Sequence, residues 1–176
     1  MKSYFFEIKK SMSLLSKNPR TIFLGQSVTY PGNLIYKSLE MVKKEKKIEL
    51  PVFEENQMGI SIGLALEGFL PITTYPRFDF LLLAFNQLIN HLDKFPIITN
   101  KQYFPKIIIR TLVGSKKPLD AGEQHTQNYV KELRSMCKTI KIFNLLKKEK
   151  IFLSYKYALK SNSPCLMVEY SEKYNY

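Results

Sequence analysis

The chain has 176 residues, 45% hydrophobic and 24% charged, which supports one globular domain with a core, so that disorder is not the default. Lysine and arginine outnumber aspartate and glutamate by 27 to 15, a net charge of +12, which permits nucleic acid or an anionic surface as partner. The excess sits in lysine runs such as Lys43-Lys44, Lys46-Lys47, Lys116-Lys117 and Lys147-Lys148, with no arginine fork or Gly-aromatic motif beside them. The expectation is a solvated basic surface and no nucleic-acid binding. Cys137 and Cys165 form neither a CxxC nor a metal-ligand spacing, so a reduced, cytoplasmic protein is expected. The opening MKSYFFEIKK is too short in apolar residues for a secretion signal. No stretch reaches the roughly 20 apolar residues that cross a bilayer, so no membrane span is expected.

In chain order, residues 1–20 predict a leading helical segment that ends near Asn18-Pro19. Thr21 to Leu24 reads as a short buried strand stopped by Gly25. Tyr30-Pro31-Gly32 is turn chemistry, and a helix is expected from Asn33 to Lys44. Residues 48–53 are extended, and Glu55 to Glu67 is helical, with Met58, Ile62, Ala65 and Leu66 at helical spacing. Leu70 to Tyr75 is a strand and Phe78 to Lys94 a strong helix. Lys106 to Val113 reads as a buried strand, followed by a long polar loop from Gly114 to Gln124. A helix over Thr126–Cys137, a strand over Thr139–Phe143, a helix over Leu146–Leu159 and a strand over Cys165–Glu169 complete the chain. This alternation predicts an α/β fold: a three-layer α/β/α domain with a mainly parallel sheet over residues 1–176. Ligands of such sheets bind beyond the carboxyl ends of the strands. Glu54, the stretch from Tyr75 to Phe78, and Gly114 to His125 all follow strand ends.

Glu54 stands between an apolar strand end and a helix. It is either a helix N-terminal acid favoured by the dipole or a buried carboxylate available for proton chemistry. Gly59 and Gly63 lie one turn apart in the following helix, where glycine costs about 1 kcal/mol relative to alanine. They serve close packing on the sheet or the approach of a helix from another subunit. Phe78, in the Arg77-Phe78-Asp79-Phe80 corner, is either core or an exposed ring that stacks on a flat heterocycle. His125 closes the loop GSKKPLDAGEQHTQ and suits a general acid/base or a substrate clamp. His91 reads as a structural helix residue. There is no P-loop, GxGxxG, HExxH or GxSxG, and no metal-ligand set is expected.

Four pieces carry a resemblance: LPVFEENQMGISIGLALEGFLPI (Leu50–Ile72), FDFLLLAFNQLINHLDK (Phe78–Lys94), IIIRTLVG (Ile107–Gly114) and GEQHTQ (Gly122–Gln127). In this order they resemble the pyrimidine-binding domain of transketolase-like thiamine diphosphate enzymes. The nearest form is the beta subunit of the decarboxylating component of 2-oxoacid (pyruvate) dehydrogenases. The resemblance implies that Glu54 hydrogen-bonds the aminopyrimidine ring nitrogen, that Phe78 packs on that ring with Arg77 beside it, and that His125 stands near the substrate. Arg110 matches a family arginine to which no role is given.

In the family the cofactor lies between a pyrimidine domain and a diphosphate domain. This chain lacks the Gly-Asp-Gly pattern that holds diphosphate through magnesium. The resemblance therefore implies one subunit of a split enzyme, with thiamine diphosphate and Mg2+ held by an alpha-type diphosphate-binding partner. Homodimers, heterodimers or tetramers are the expected assemblies, with Gly59 and Gly63 at the contact. The substrate is a 2-oxoacid to be decarboxylated or a ketose for two-carbon transfer. The alternative is a non-catalytic interaction or regulatory subunit derived from the same domain. Three departures are visible: Gln26 replaces the acidic residue that usually follows the first-strand glycine, the family's monovalent-cation wording is missing from Lys147–Lys160, and the chain stops at Tyr176 where the beta subunit continues.

Overall fold

The computed structural model describes residues 3–117 and 120–174. Ser3 caps the first helix, α1 (Tyr4–Ser16), by accepting from the Phe6 N–H at 3.1 Å. Tyr4, Ile8, Met12 and Leu15 recur at helical spacing and face the core. Six strands follow, β1 (Thr21–Gly25), β2 (Lys47–Glu49), β3 (Leu70–Tyr75), β4 (Ile108–Val113), β5 (Lys141–Asn144) and β6 (Cys165–Tyr170), in one sheet of order β2-β1-β3-β4-β6-β5. Every neighbouring pair is parallel, so the mainly parallel sheet expected from the sequence is parallel throughout.

β3, β4 and β6 are buried at every position, because helices cover both faces. One core layer joins Ile8, Met12 and Tyr155 to Phe23, Ile108 and Met167; α1 and α7 (Lys148–Lys160) supply its outer side. The other joins Met58, Phe78, Leu88 and Leu133 to Ile109 and Val168, under α3 (Glu54–Leu66), the 78–92 helical segment and α6 (Val130–Met136). Period-two alternation assigns the faces: Ile108 and Leu112 point one way, Ile109 and Val113 the other.

α3 stops where the sequence says it should. Gly68 takes φ +78°. The Phe69 N–H then reaches the Leu64 carbonyl at 3.0 Å and the Gly68 N–H the Ala65 carbonyl at 3.1 Å, the paired bonds of a glycine-terminated helix. Arg20 completes the cap by donating to the carbonyls of Glu67 and Gly68.

Three expected helices differ in extent. α2 covers only Leu34–Ser38, because the chain tightens into successive turns: Leu39 N–H to Tyr36 O at 2.9 Å and Val42 N–H to Leu39 O at 3.0 Å. Both Leu39 and Val42 are thereby drawn into the core. α6 starts at Val130 because Asn128 accepts the Val130 N–H at 3.1 Å, a local bond that competes with the helix. The long helix expected from Phe78 changes pitch instead. It is α-helical over Phe78–Leu81 (α4), 3-10 over Leu82–Ala84 and π-helical over Asn86–Leu92. The change keeps Leu81, Ala84, Leu88 and Leu92 on the core side. A short α5 (Phe95–Ile98) follows. Among the described residues no helix is long and apolar enough to cross a membrane.

Candidate functional site

The chain passes from β1 to β2 on one side and then returns to β3 on the other side of β1. Ligand sites of open parallel sheets form at such reversals. Gly25 ends β1 here with φ +131°, and a Cβ on it would stand 2.3 Å from the Thr74 carbonyl oxygen of β3. No side chain fits between the two strands at this level. The next turn is held by Glu49 at the end of β2, which accepts the N–H of Ser27 at 2.6 Å and of Thr29 at 2.7 Å. Ser27 sits at φ +65°, a left-handed conformation that is uncommon for a non-glycine residue.

Gln26 is fixed between these two residues and donates its amide to Glu54 Oε1 at 2.9 Å. Glu54 is the first residue of α3 and only 4% exposed. Among the described residues Gln26 is the sole hydrogen-bond partner of that carboxylate. The start of α3 is fastened to β3 by two further side chains. Gln57 donates to Thr73 Oγ1 at 2.9 Å and to the Thr74 carbonyl at 3.0 Å, and Tyr75 donates its hydroxyl to the Glu54 carbonyl at 3.2 Å. Burial raises the Tyr75 pKa far above the usual phenol value, and the Glu54 charge adds to the rise, so this hydroxyl donates across the working pH range.

Further along the same edge lies a cleft of about 550 Å³, lined among others by Ser27, Asn33, Arg77, Phe80, Lys117 and His125. His125 ends a 3-10 turn, Glu123–His125, and packs edge-on against Phe80 with centroids 5.4 Å apart. Among the described residues its Nδ1 is buried without a hydrogen-bond partner, although buried polar atoms are normally paired. Gly114 brings the loop in: a Cβ there would lie 1.9 Å from the His125 carbonyl oxygen. Arg77 binds its neighbour's carbonyl, Pro76 O, at 2.8 Å. Burial lowers its pKa while Asp79 opposes the shift. With Lys117 it makes the cleft suit an anionic group.

The structure corrects one expected site residue. Phe78 is fully buried and packs T-shaped under Tyr129 at 5.4 Å, because it opens α4 facing the core cluster. Phe80, two residues on, is the ring that reaches the cleft. Glu54 is not among the cleft-lining residues; its neighbour in space, Gln26, leads directly into Ser27, which is. Among the described residues Gly59 and Gly63 do not serve close packing. Among the described residues outside the helix's own backbone, nothing lies within 4 Å of a Cβ built on Gly63, and only Gln87 Oε1 reaches that of Gly59, at 4.0 Å. His91 is exposed.

Arg110 belongs elsewhere. It is wholly buried and grips Glu169 with Nε at 2.9 Å and Nη2 at 3.0 Å. Burial alone would lower its pKa, but Glu169 more than reverses this. Sequence reasoning missed Gln26 and Phe80 as site residues. Their signals were present: a polar residue directly after a strand-end glycine, and an aromatic with i+2 spacing from a core ring. Among the described residues no group of three or more His, Cys, Asp or Glu side chains is placed to hold a metal ion.

Known proteins share sequence and fold with this chain. Residues 10–175 match the family model for the transketolase pyrimidine binding domain. A pyruvate dehydrogenase E1 component subunit beta from Staurastrum punctulatum is 27% identical over 116 residues, covering 64% of this chain and 35% of that protein. The chloroplastic subunit beta-3 of Oryza sativa subsp. japonica is 28% identical over 116 residues, or 64% of this chain and 29% of that protein. The chain thus spans about a third of the length of these relatives. Among solved structures, a split gene transketolase described as an inactive beta4 tetramer superposes with TM-score 0.69 at 17% identity, over 93% of this chain and 49% of that one. A transketolase from Campylobacter jejuni gives the same TM-score and identity over 93% of this chain and 25% of its own. With the family model matched over nearly the whole chain, this chain belongs to the transketolase pyrimidine-binding domain family of thiamine diphosphate enzymes.

Proposed function

We propose that this chain is the pyrimidine-binding subunit of a split thiamine diphosphate enzyme that cleaves a carbon–carbon bond beside a carbonyl. The observation that carries the reading is Glu54: a buried carboxylate at the sheet's reversal point, met by a single neutral donor. Buried carboxylates are normally saturated with donors, so one with spare capacity suits an incoming hydrogen-bond partner such as a protonated ring nitrogen. The cleft supports the same reading, with the Phe80 ring and the His125 imidazole among its lining residues.

When bound, the cofactor supplies a nucleophilic carbon and an electron sink. In this reading Glu54 holds or shares a proton at the pyrimidine ring nitrogen. Phe80 takes the packing role expected of Phe78, and His125 with Arg77 orients an anionic substrate, a 2-oxoacid carboxylate or a ketose phosphate. The diphosphate and Mg2+ are assigned to an alpha-type partner subunit.

The face that would meet such a partner is apolar and open. Val52 and Phe53, directly before Glu54, are 77% and 58% exposed, and Gly63 leaves the α3 surface free for close approach. A dimer or tetramer with the partner follows. Cys137 and Cys165 are both free, which suits a reducing compartment such as the cytoplasm.

The test is magnesium-dependent thiamine diphosphate binding by calorimetry, with the chain alone, the diphosphate-binding subunit alone, and the two mixed. Tight binding only in the mixture is expected; absence of binding in the mixture removes the proposal. In the assembled complex, Glu54→Gln should slow deuterium exchange at the thiazolium carbon by about 100-fold or more, and unchanged exchange would take Glu54 out of this role.

A further inference from the structure

We propose that Gln26 is the positioning residue that divides the labour of the two Glu54 oxygens. This rests on the reading of Glu54 given above. A glutamine amide nitrogen has donors, no acceptor and no titration in the accessible range. Bonded to Oε1 at 2.9 Å and only 8% exposed, it keeps Oε1 an acceptor at every working pH. A proton exchanged with an incoming group must therefore use Oε2.

The backbone states the same preference. Gln26 lies between Gly25 at φ +131° and Ser27 at φ +65°, and both neighbours are fixed, one by the approach to Thr74 and the other by Glu49. The chain holds a strained turn, and the side chain it aims is the donor to Glu54. Strain of this kind points to function when the surrounding contacts over-determine it. The ionisable groups around Glu54 leave this role to Gln26. Glu49 is occupied by the Ser27–Thr29 turn, Tyr75 donates to the Glu54 backbone carbonyl, and Glu55 on α3 accepts from Asn86.

A carboxylic acid at position 26 would act differently. Two buried carboxyl groups at hydrogen-bond distance share one proton and titrate as a pair. Glutamine supplies the donor without the coupled titration, so proton exchange at Glu54 is freed from a second acid's pH dependence.

The experiment has two readouts. In the chain alone, the Gln26 side-chain amide in a 1H–15N spectrum should stand apart from the other glutamines and return among them in Glu54→Gln. In the partner-assembled complex, deuterium exchange at the thiazolium carbon is followed against pH for wild type, Gln26→Leu and Gln26→Glu. Gln26→Leu should slow exchange about tenfold at all pH values, the usual loss when an orienting partner is removed. Gln26→Glu should retain exchange at acid pH and lose it as pH rises, because the new acid donates only while protonated. A residue that merely held the loop would give equal losses in both variants with no pH dependence, and that result overturns the proposal. Wild-type exchange in Gln26→Leu also overturns it while leaving the role of Glu54 intact. Failure of the wild-type complex to bind thiamine diphosphate overturns the underlying reading, and this proposal with it.

Discussion

Glu169 and Glu54 are 0% and 4% exposed, yet the fold treats them in opposite ways. Glu169 on β6 receives two bonds from Arg110 and one from each of the Tyr155 and Tyr174 hydroxyls. Burial raises both phenols, and the Glu169 charge adds to it, so they stay protonated and donate. Asp93 follows the same pattern, accepting the N–H groups of Lys138, Thr139 and Ile140. Among the described residues Glu54 has Gln26 alone. A saturated carboxylate belongs to the architecture, because nothing more can bind to it. An undersupplied one at the start of a helix keeps capacity for something that arrives later.

The contrast can be broken most forcefully at Arg110. Arg110→Leu would leave Glu169 buried without its cation and should cost about 3–5 kcal/mol in urea unfolding; a loss below about 1 kcal/mol would mean that the pair is not an architectural tie. Asp93→Ala removes the acceptor of three backbone donors and should cost about 2–3 kcal/mol. By contrast Glu54→Gln should change stability by less than about 1 kcal/mol. If it destabilises the chain as much as the Asp93 variant does, the division between architectural and available carboxylates fails.

Gly63 sharpens the comparison from the surface side. Gly63→Ala meets no neighbour and should stabilise the chain alone by up to about 1 kcal/mol. Gly63→Phe should weaken assembly with the partner, read by analytical ultracentrifugation, without unfolding the chain. Equal assembly in both variants would move the contact off this helix.

The smallest effect lies with the thiols. Burial pushes Cys165 up to about 11 and Cys137 up to about 12. These folded values lie above the unfolded thiol range, so the native state holds protons that the unfolded chain releases. The stability they add is full below about pH 8.5 and is lost as pH rises towards those values. Alkylation at pH 8 should be slow in the folded chain and fast in denaturant.

Much of this was legible from residue order. The apolar triplet at Ile107 and the Leu70–Tyr75 run gave the central strands, because strands buried on both faces need no alternation. Glu54 stood out because it follows the apolar Pro51-Val52-Phe53 and opens a helix, although β2 itself ends at Glu49 and those three residues are exposed. Helix extents were less legible where side chains compete with the backbone, as Asn128 does before α6, and where core spacing changes the pitch after Phe78. Phe78 and Phe80 could not be told apart because both are phenylalanines in one short turn, and the choice depends on which way that turn faces. Gln26 was visible only as a departure from a family pattern. Its role follows from a contact 28 residues away in sequence, which no local rule reports.

β6 carries a consequence for biosynthesis. It is the last of the six strands in the chain, yet it lies between β4 and β5. While the ribosome is still making α7, one edge of β4 has open ladder groups along Ile108–Val113, and Arg110 has no counter-ion. A nascent chain with an exposed, apolar strand edge is a template for the wrong partner. The interval between translating Val113 and Cys165 is thus the window in which a chaperone, or a pause in elongation, would most affect yield.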